Sequence, residues 1–574
     1  MSDRIWVVDN DPSAKYPIYT RGNVGEVFPD TVAPLTWTAF GVPGAEPGWR
    51  DAFVRFGVFD HDEFDPSQIE ILGVFGGYCY LNVSVSRIFG VRVPGLTPEL
   101  VDRSIWGEMP GVPPYAPLAT DESPAHTARI QRTAQWIFTT QELPELREDQ
   151  QRVRAIREAR PDLTAMSDAE LMARILGFAD IVRELFSRHI FVSYCSLTVL
   201  GTIAGICEQA LSDSSFAMRL VAGIGDVDSA APPMAMWELS RLISGSPDLS
   251  AAFDDGTVGL LDRLRGRESA EDFLKLFDGF IYEFGSRGPN EWEMRCPTWE
   301  TDPELALVAI DRMRLADDAG DPAASQRRLA AEREAISAEV LGQLEPAPEV
   351  HGQMAAALNA AKVFLPGRER TKTTIIKVTQ EARLAARELG RRMCANDVFE
   401  RPESLSMLCD TELNDFLADP NKWSDTIAER ERLYDRLQSL EPPFIIDGAV
   451  PPVDEWKQRE TAPLHVAPGT TLAGLAGCPG AARGRARVIM SPFDGRGLEP
   501  GDVLVAPLTD PSWTPLFVPA CAVVVDVGAP LSHAVIVSRE LGVPCVVSVT
   551  NATRKIPDGA LVEVDGTAGT VTVL

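Results

Sequence analysis

The sequence predicts a multi-domain protein in which a mostly α-helical α+β body precedes a small β/α domain. Three observations carry this. At 574 residues the chain exceeds what one hydrophobic core organises, and ordinary domain sizes suggest about three folding units. Strong helix formers and cap signals dominate from about residue 127 to 440, whereas short β-branched runs between Gly, Pro and Asp turns take over after about residue 472.

Residues 1–120 carry eight phenylalanines and extended runs such as Tyr78 to Ser84, which predicts mixed strands and loops attached to the body. Residues 121–440 are expected to be mainly helical. Ser167-Asp168-Ala169-Glu170 is a capping-box start for a helix reaching Arg188, and further helices are expected over Ser325 to Glu345, Lys377 to Met393 and Ser424 to Leu440. Residues 441–471, with prolines at 442, 443, 451, 452, 463 and 468, form a linker. Such a segment is either an extended, semi-rigid tether or an ordered strap on the body. From 472 to 574 strands are expected at Arg485 to Met490, Asp502 to Ala506, Ala522 to Val527, Pro544 to Val549, Leu561 to Val564 and Thr570 to Leu574, with a helix from Ser532 to Leu541.

Composition narrows the function. A net charge of −29 argues against nucleic acid or an anionic membrane as partner. Nine cysteines with no C-x-x-C pair read as reduced thiols of a cytoplasmic protein, and the polar N-terminus does not read as a signal peptide. The apolar segment Ile190 to Cys207 is interrupted by Ser193, Ser196, Thr198 and Thr202, which favours a buried helix over a membrane span. Histidines 61, 126, 189, 351 and 465 show no metal-ligand spacing, so no protein-held metal is expected.

The most informative stretch runs from Val525 to Pro544, where a β-rich run breaks at Gly528-Ala529-Pro530 and a helix begins at Ser532. This sets the His533 imidazole at a helix N-terminus. Unpaired N–H groups and the positive dipole end favour a phosphate there, and a neutral imidazole is a competent nucleophile toward phosphorus. A second constellation is Arg368-Glu369-Arg370-Thr371-Lys372, in which Arg368 and Lys372 are four apart and share a face if helical. They are candidates for steadying a travelling phosphoryl group, against the alternative of a solvated basic face. Arg287 and Glu291 form a third pair, in a Gly/Pro loop, for which an interior salt bridge is the leading reading and an acceptor site the other.

The stretch around His533 resembles the signature of the swivelling phosphohistidine domain of the phosphoenolpyruvate-utilising enzymes, the group that includes phosphoenolpyruvate synthase, pyruvate phosphate dikinase and rifampin phosphotransferase. Gly528, Ser532, His533, Ile536, Arg539, Glu540, Gly542 and Pro544 match it; Asp526, Ala529, Val535 and Ser538 depart from it. Leu475 to Gly484 and Thr509-Asp510-Pro511-Ser512-Trp513-Thr514-Pro515 also resemble that domain. In the body, Asn23 to Pro29, Gly77 to Asn82 and Phe284 to Glu291 are similar to the acceptor-binding part of these enzymes, with Ser286 where the family has histidine. The Arg368 to Lys372 segment resembles one whose Arg and Lys line the acceptor site.

The resemblance implies an acceptor-binding body over 1–440 and a swivelling β/β/α phosphohistidine domain over 472–574. His533 becomes the carrier, supported by Gly528, Ser532, Arg539 and Glu540. Neither a G-x-x-x-x-G-K-[ST] loop nor a Gly-rich loop followed by acidic Mg²⁺ ligands is visible, and Gly76-Gly77 lies in an apolar strand-like run. No cofactor is therefore expected on this chain; ATP and Mg²⁺ are expected on a separate ATP-grasp subunit, an arrangement similar to phenylphosphate synthase. The implied function is an ATP-dependent, dikinase-like phosphotransferase component that passes a phosphoryl group to a hydroxyl of a small organic acceptor, aromatic ones included. The alternative is a non-catalytic binding or regulatory protein that retains the fold, which Ala529 and Ser286 favour.

Overall fold

The computed structural model describes residues 5–106, 111–211, 215–315, 321–460, 462–492, 498–529 and 532–574. The protein is multi-domain and mostly helical, and its contacts divide it into two compact units that do not follow chain order. The first comprises residues 1–196, 292–296 and 370–460; the second comprises residues 197–291, 297–369 and 461–574.

In the first unit, β1 (Ile18–Thr20), β2 (Leu72–Phe75), β3 (Tyr78–Asn82), β4 (Leu440–Glu441), β5 (Ile445–Asp447) and β6 (Lys457–Gln458) make two small antiparallel sheets. The larger has the order β2-β3-β1-β5. Gly76 and Gly77, at φ 55° and 82°, form the two-residue turn between β2 and β3. Two positive φ values in a tight hairpin demand glycine, and a Cβ on Gly76 would run into the Trp456 ring. The pair is turn chemistry rather than a phosphate loop. Residues 1–120 also hold more helix than expected, including Glu46–Phe56 and Val83–Arg92. Asn82 accounts for the second start, since its side chain caps the helix by accepting from the Val85 N–H.

The capping box at Ser167 and Glu170 forms as expected, but its helix ends at Leu176 and a second runs Ala179–Leu211. The stretch 168–211 has the length and apolarity to cross a membrane, with 44% of its most apolar window buried in the fold. The helices expected after 325, 377 and 424 are Pro322–Leu344, Pro348–Ala395 and Ser424–Gln438. The 48-residue Pro348–Ala395 helix absorbs the Arg368 to Lys372 segment without a break, despite Pro366 inside it.

The linker is an ordered strap at both of its ends. In the first unit β5 pairs with β1, and Tyr80 Oη donates to the Pro443 carbonyl at 2.7 Å. In the second, Leu464 N–H and Val466 N–H donate to the Arg554 and Lys555 carbonyls at 2.8 and 3.0 Å.

The C-terminal part of the second unit holds β7 (Thr471–Ala473), β8 (Leu475–Cys478), β9 (Ala481–Val488), β10 (Val503–Ala506), β11 (Ala522–Val525), β12 (Cys545–Val547), β13 (Leu561–Asp565) and β14 (Thr570–Val573). They form one sheet, β7-β14-β13-β9-β10-β11-β12-β8, in which β9 through β12 run parallel. Strands of this kind are buried on both faces and so read as unbroken apolar runs. Leu504, Ala506, Val523 and Val525 face a core with Trp513, Phe517, Val535 and Val537; Val503, Val505, Ala522 and Val524 face another with Ile556, Val562 and Val571. All six expected strands exist, with ends shifted by one to four residues; β9 begins four residues before the expected start and β13 runs one residue past the expected end, and β7 and β8, short and glycine-flanked, lie outside the expected set.

Candidate phosphohistidine site

β10 and β11 are parallel neighbours whose ends, Ala506 and Val525, lie in register. Loops that leave the carboxyl ends of adjacent parallel strands meet above the sheet, where α/β proteins place their ligands. The segment after β10 carries Thr509 and Asp510 and runs through a turn at Pro511–Trp513 into the short helix that opens at Thr514; the loop after β11 leads to His533. Pro530 and Leu531 of that second loop lie outside the described residues.

His533 is the first residue of the helix His533–Leu541, with Ser532 as an extended N-cap at φ −66°, ψ 159°. Its ring is half-buried and held on both nitrogens: Nδ1 lies 3.1 Å from Thr509 Oγ1 and Nε2 lies 3.1 Å from Thr514 Oγ1. The Phe517 ring meets it edge-on, at 5.9 Å between centroids. Ser532 makes no capping bond, and its buried Oγ has no hydrogen-bond partner among the described residues. The first-turn N–H groups lack intrahelical acceptors, so this end of the helix presents donors and a partial positive charge. Gly528 is needed for room rather than for φ, because a Cβ there would come within 2.8 Å of Val547 Cβ. Ala529 fits in the same turn, its carbonyl accepting from Ser532 N–H at 2.8 Å.

The loop after β10 is stiffened by Asp510, whose carboxylate accepts from Ser512 N–H at 2.9 Å and from the Ser512 hydroxyl. Its other oxygen accepts from Asn290 N–H at 3.0 Å. Burial pushes the Asp510 carboxyl up to about 6, against the lowering effect of these donors, and nearby Glu291 adds to the rise. The expected pair therefore lies beside the His533 loops. Arg287 Nη1 donates to Glu291 Oε1 at 2.9 Å, and their side chains are 2% and 1% exposed, which makes them an interior ion pair. Ser286, where the family has histidine, is also buried.

Arg539 and Glu540 sit farther along the His533 helix, both buried. Glu540 Oε2 accepts from Gly225 N–H at 3.4 Å, Glu540 Oε1 is 3.6 Å from Arg539 Nε, and burial raises the Glu540 carboxyl. Ile536, on the same helix, packs with Val227 and Ala230. These contacts join the helix to the segment 221–230 of its own unit.

Arg368 and Lys372 lie on the Pro348–Ala395 helix, both half-buried. Arg368 Nη1 bonds Glu369 Oε1. The boundary between the units falls between them, with Arg368 in the unit of His533 and Lys372 in the other. Beside Lys372, Thr371 Oγ1 lies 3.0 Å from Nδ1 of the buried His189.

One grouping has no signature in sequence. Asp60, Glu63 and His126, from distant parts of the chain, bring potential metal-ligand atoms within 4.8 Å of one another. The carboxylates are already engaged, Asp60 by Arg129 at 2.6 and 2.9 Å and Glu63 by Arg92 at 2.7 and 3.0 Å. Two guanidiniums cancel the charge that would attract a cation. Thr509, Thr514, Asp510 and Asn290 are the residues that sequence reasoning left without a role, although three of them lie in the recognised Thr509 to Pro515 segment.

Residues 498–569 match the family described as PEP-utilising enzyme, mobile domain, and residues 188–369 match the rifampicin phosphotransferase fourth domain. An uncharacterized protein of Mycobacterium tuberculosis is 33% identical over 290 residues, 50% of this chain and 30% of the relative. The prodigiosin synthesizing transferase PigC of Serratia marcescens is 29% identical over 425 residues, 72% of this chain and 46% of that protein. A rifampicin phosphotransferase of Bacillus cereus is 26% identical over 434 residues, 73% of this chain and 48% of the relative. In each case the match spans less than half of the relative's length.

Proposed function

The chain belongs to the phosphoenolpyruvate-utilising enzyme family, whose mobile domain it carries, and from this we propose that it is a phosphotransferase component working through a phosphohistidine at His533. The observation that carries the reading is the setting of His533, at the start of a nine-residue helix with both ring nitrogens bonded to threonine hydroxyls.

In the first half-reaction a ring nitrogen attacks a phosphoryl group of ATP, forming an N–P bond as the bridging P–O bond breaks. The helix N-terminus and the Ser532 hydroxyl face the incoming negative charge. In the second, an acceptor hydroxyl oxygen displaces the ring nitrogen from phosphorus and gives its proton to a base. The acceptor is a small organic hydroxyl compound; relatives named for rifampicin phosphorylation and for prodigiosin synthesis support an acceptor of the natural-product type. In this reading ATP and Mg²⁺ are held by a separate ATP-grasp subunit. Arg368 and Lys372 act in the second half-reaction, and localisation is cytoplasmic in this reading.

The test incubates the chain with an ATP-grasp protein and labelled ATP. Acid-labile, base-stable label on this chain, lost in His533→Ala, is the expected result. Label on another histidine, or none with any ATP-grasp protein, refutes the proposal and leaves the non-catalytic alternative.

A further inference from the structure

We infer that Asp149 is a proton-controlled latch in the first unit: protonated, it lets the helix Pro144–Glu158 close on the helix Pro348–Ala395, and ionised, it parts the two enough to admit water.

Asp149 lies on the first of these helices and is 5% exposed. With Leu146 of the same helix, Leu185 of the helix Ala179–Leu211, and Thr371 and Thr374 of the long helix, it lines a crevice too narrow for a water molecule. Its two oxygens are placed differently. Oδ1 accepts from Arg188 Nη1 at 2.6 Å, whereas Oδ2 is buried with no hydrogen-bond partner among the described residues. Neither threonine hydroxyl is turned to it: Thr371 Oγ1 lies 3.0 Å from His189 Nδ1, and Thr374 Oγ1 donates to the Arg370 carbonyl at 2.8 Å. A carboxylate oxygen left without a donor in such surroundings disfavours the charged form.

Arg188 does not offset this alone, because it is shared. Its Nη2 donates to Glu184 Oε1 at 2.8 Å, and Glu184 also accepts from Arg152 Nη1 at 2.6 Å. Glu184 is exposed, so water and a second guanidinium hold its charge, while Asp149 has neither. Burial pushes the Asp149 carboxyl up to about 6, against the lowering pull of Arg188 and Arg152 and with a further rise from Glu184. An open crevice would hydrate the carboxyl and return it toward its ordinary value of 3.8. Closure is therefore favoured fully below that value, weakens as pH rises from it to about 6, and levels off above. The far end of the helix is held by other means. Arg160, just past it, donates to the buried Glu381 at 2.6 and 2.9 Å, which confines opening to the part around Asp149. Thr371 is the chain neighbour of Lys372, so on the proposed function acid seals the crevice beside a residue assigned to the second half-reaction.

The test follows hydrogen exchange of the intact chain from about pH 4 to about pH 7, corrected for the intrinsic rates, in peptides covering 144–152 and 370–376. Opening there should increase roughly a hundredfold across the range, the ratio set by carboxyl values of 3.8 and about 6, while peptides covering 156–162 change little. Asp149→Asn keeps the acceptor for Arg188 and cannot ionise, so it should show the acid-form protection at every pH. Glu184→Gln, a change at an exposed side chain, should move the wild-type transition to lower pH. In ¹³C spectra of protein labelled at the aspartate carboxyls, the signal lost in Asp149→Asn should titrate near 6. The same pH dependence of protection in wild type and Asp149→Asn, or an Asp149 signal that titrates at its ordinary value of 3.8, overturns the latch. These readouts need neither ATP nor a partner, so a failure to form phosphohistidine would sink the proposed function and leave the latch standing.

Discussion

Replacing Arg287 by methionine isolates what the loop beside the phosphohistidine site depends on. The ion pair with Glu291 is 2.9 Å long, with side chains 2% and 1% exposed. Once Arg287 is gone, the Glu291 carboxylate is buried without its guanidinium and faces Asp510, whose own carboxyl already lies at about 6 because of burial and the Glu291 charge. Breaking a buried pair by removing one partner costs about 3–5 kcal/mol, whereas replacing both partners by apolar groups of similar volume is often neutral. Arg287→Met should therefore destabilise the second unit by that amount, and Arg287→Met with Glu291→Leu should recover most of it. Because a chain of two compact units need not unfold in one step, the readout is hydrogen exchange in peptides covering 285–299 across a urea series. A loss below about 1 kcal/mol in the single variant, or no coupling in the double-mutant cycle, would show that the pair does not hold this loop.

Arg368→Ala and Lys372→Ala should each slow phosphoryl transfer to acceptor about a hundredfold while leaving His533 phosphorylation intact; rapid-quench measurement of both half-reactions decides, and normal transfer in both variants removes them from the site. A pH effect follows from Asp526, which burial pushes up to about 6 despite its bonds from Thr553 N–H and the Thr553 hydroxyl. A carboxyl whose folded value lies above its unfolded one of 3.8 stabilises the fold most when protonated, and that contribution is lost as pH rises through about 6. The loss is about 3 kcal/mol at most, so thermal melts of Asp526→Asn should be flatter than wild type between pH 4 and 7; parallel curves would refute it.

Much of the C-terminal sheet was legible because its strands are buried on both faces, so β10 and β11 read as unbroken runs of Val, Leu and Ala. The start of the His533 helix was legible too, since Gly528 and Ser532 announce a turn and a cap. The division into compact units was beyond periodicity. Residues 292–296 belong with 1–196 and 370–460, while 461–574 belong with 197–291 and 297–369. Local patterns register burial and say nothing of which distant segment covers a face. The Asp60, Glu63 and His126 grouping stayed hidden for the same reason, its members being joined only by the fold.

Thr509 and Thr514 show where the reading of motifs stops. Thr509 lies in a loop and Thr514 opens the short helix Thr514–Phe517, and the spacing of 24 residues between Thr509 and His533 has no period that would pair them. What pairs them is strand order and direction. β10 and β11 are neighbours, run parallel and end in register, so the loop after one must meet the loop after the other. Had β11 run antiparallel, the same residues would lie at opposite ends of the sheet. Arg539 and Glu540 make the complementary point. They belong to the recognised signature, yet the helix carries them away from the imidazole and toward Gly225, where Glu540 is buried. A signature thus records two demands at once, on chemistry at the first turn of the helix and on docking at its last, and only the geometry separates them.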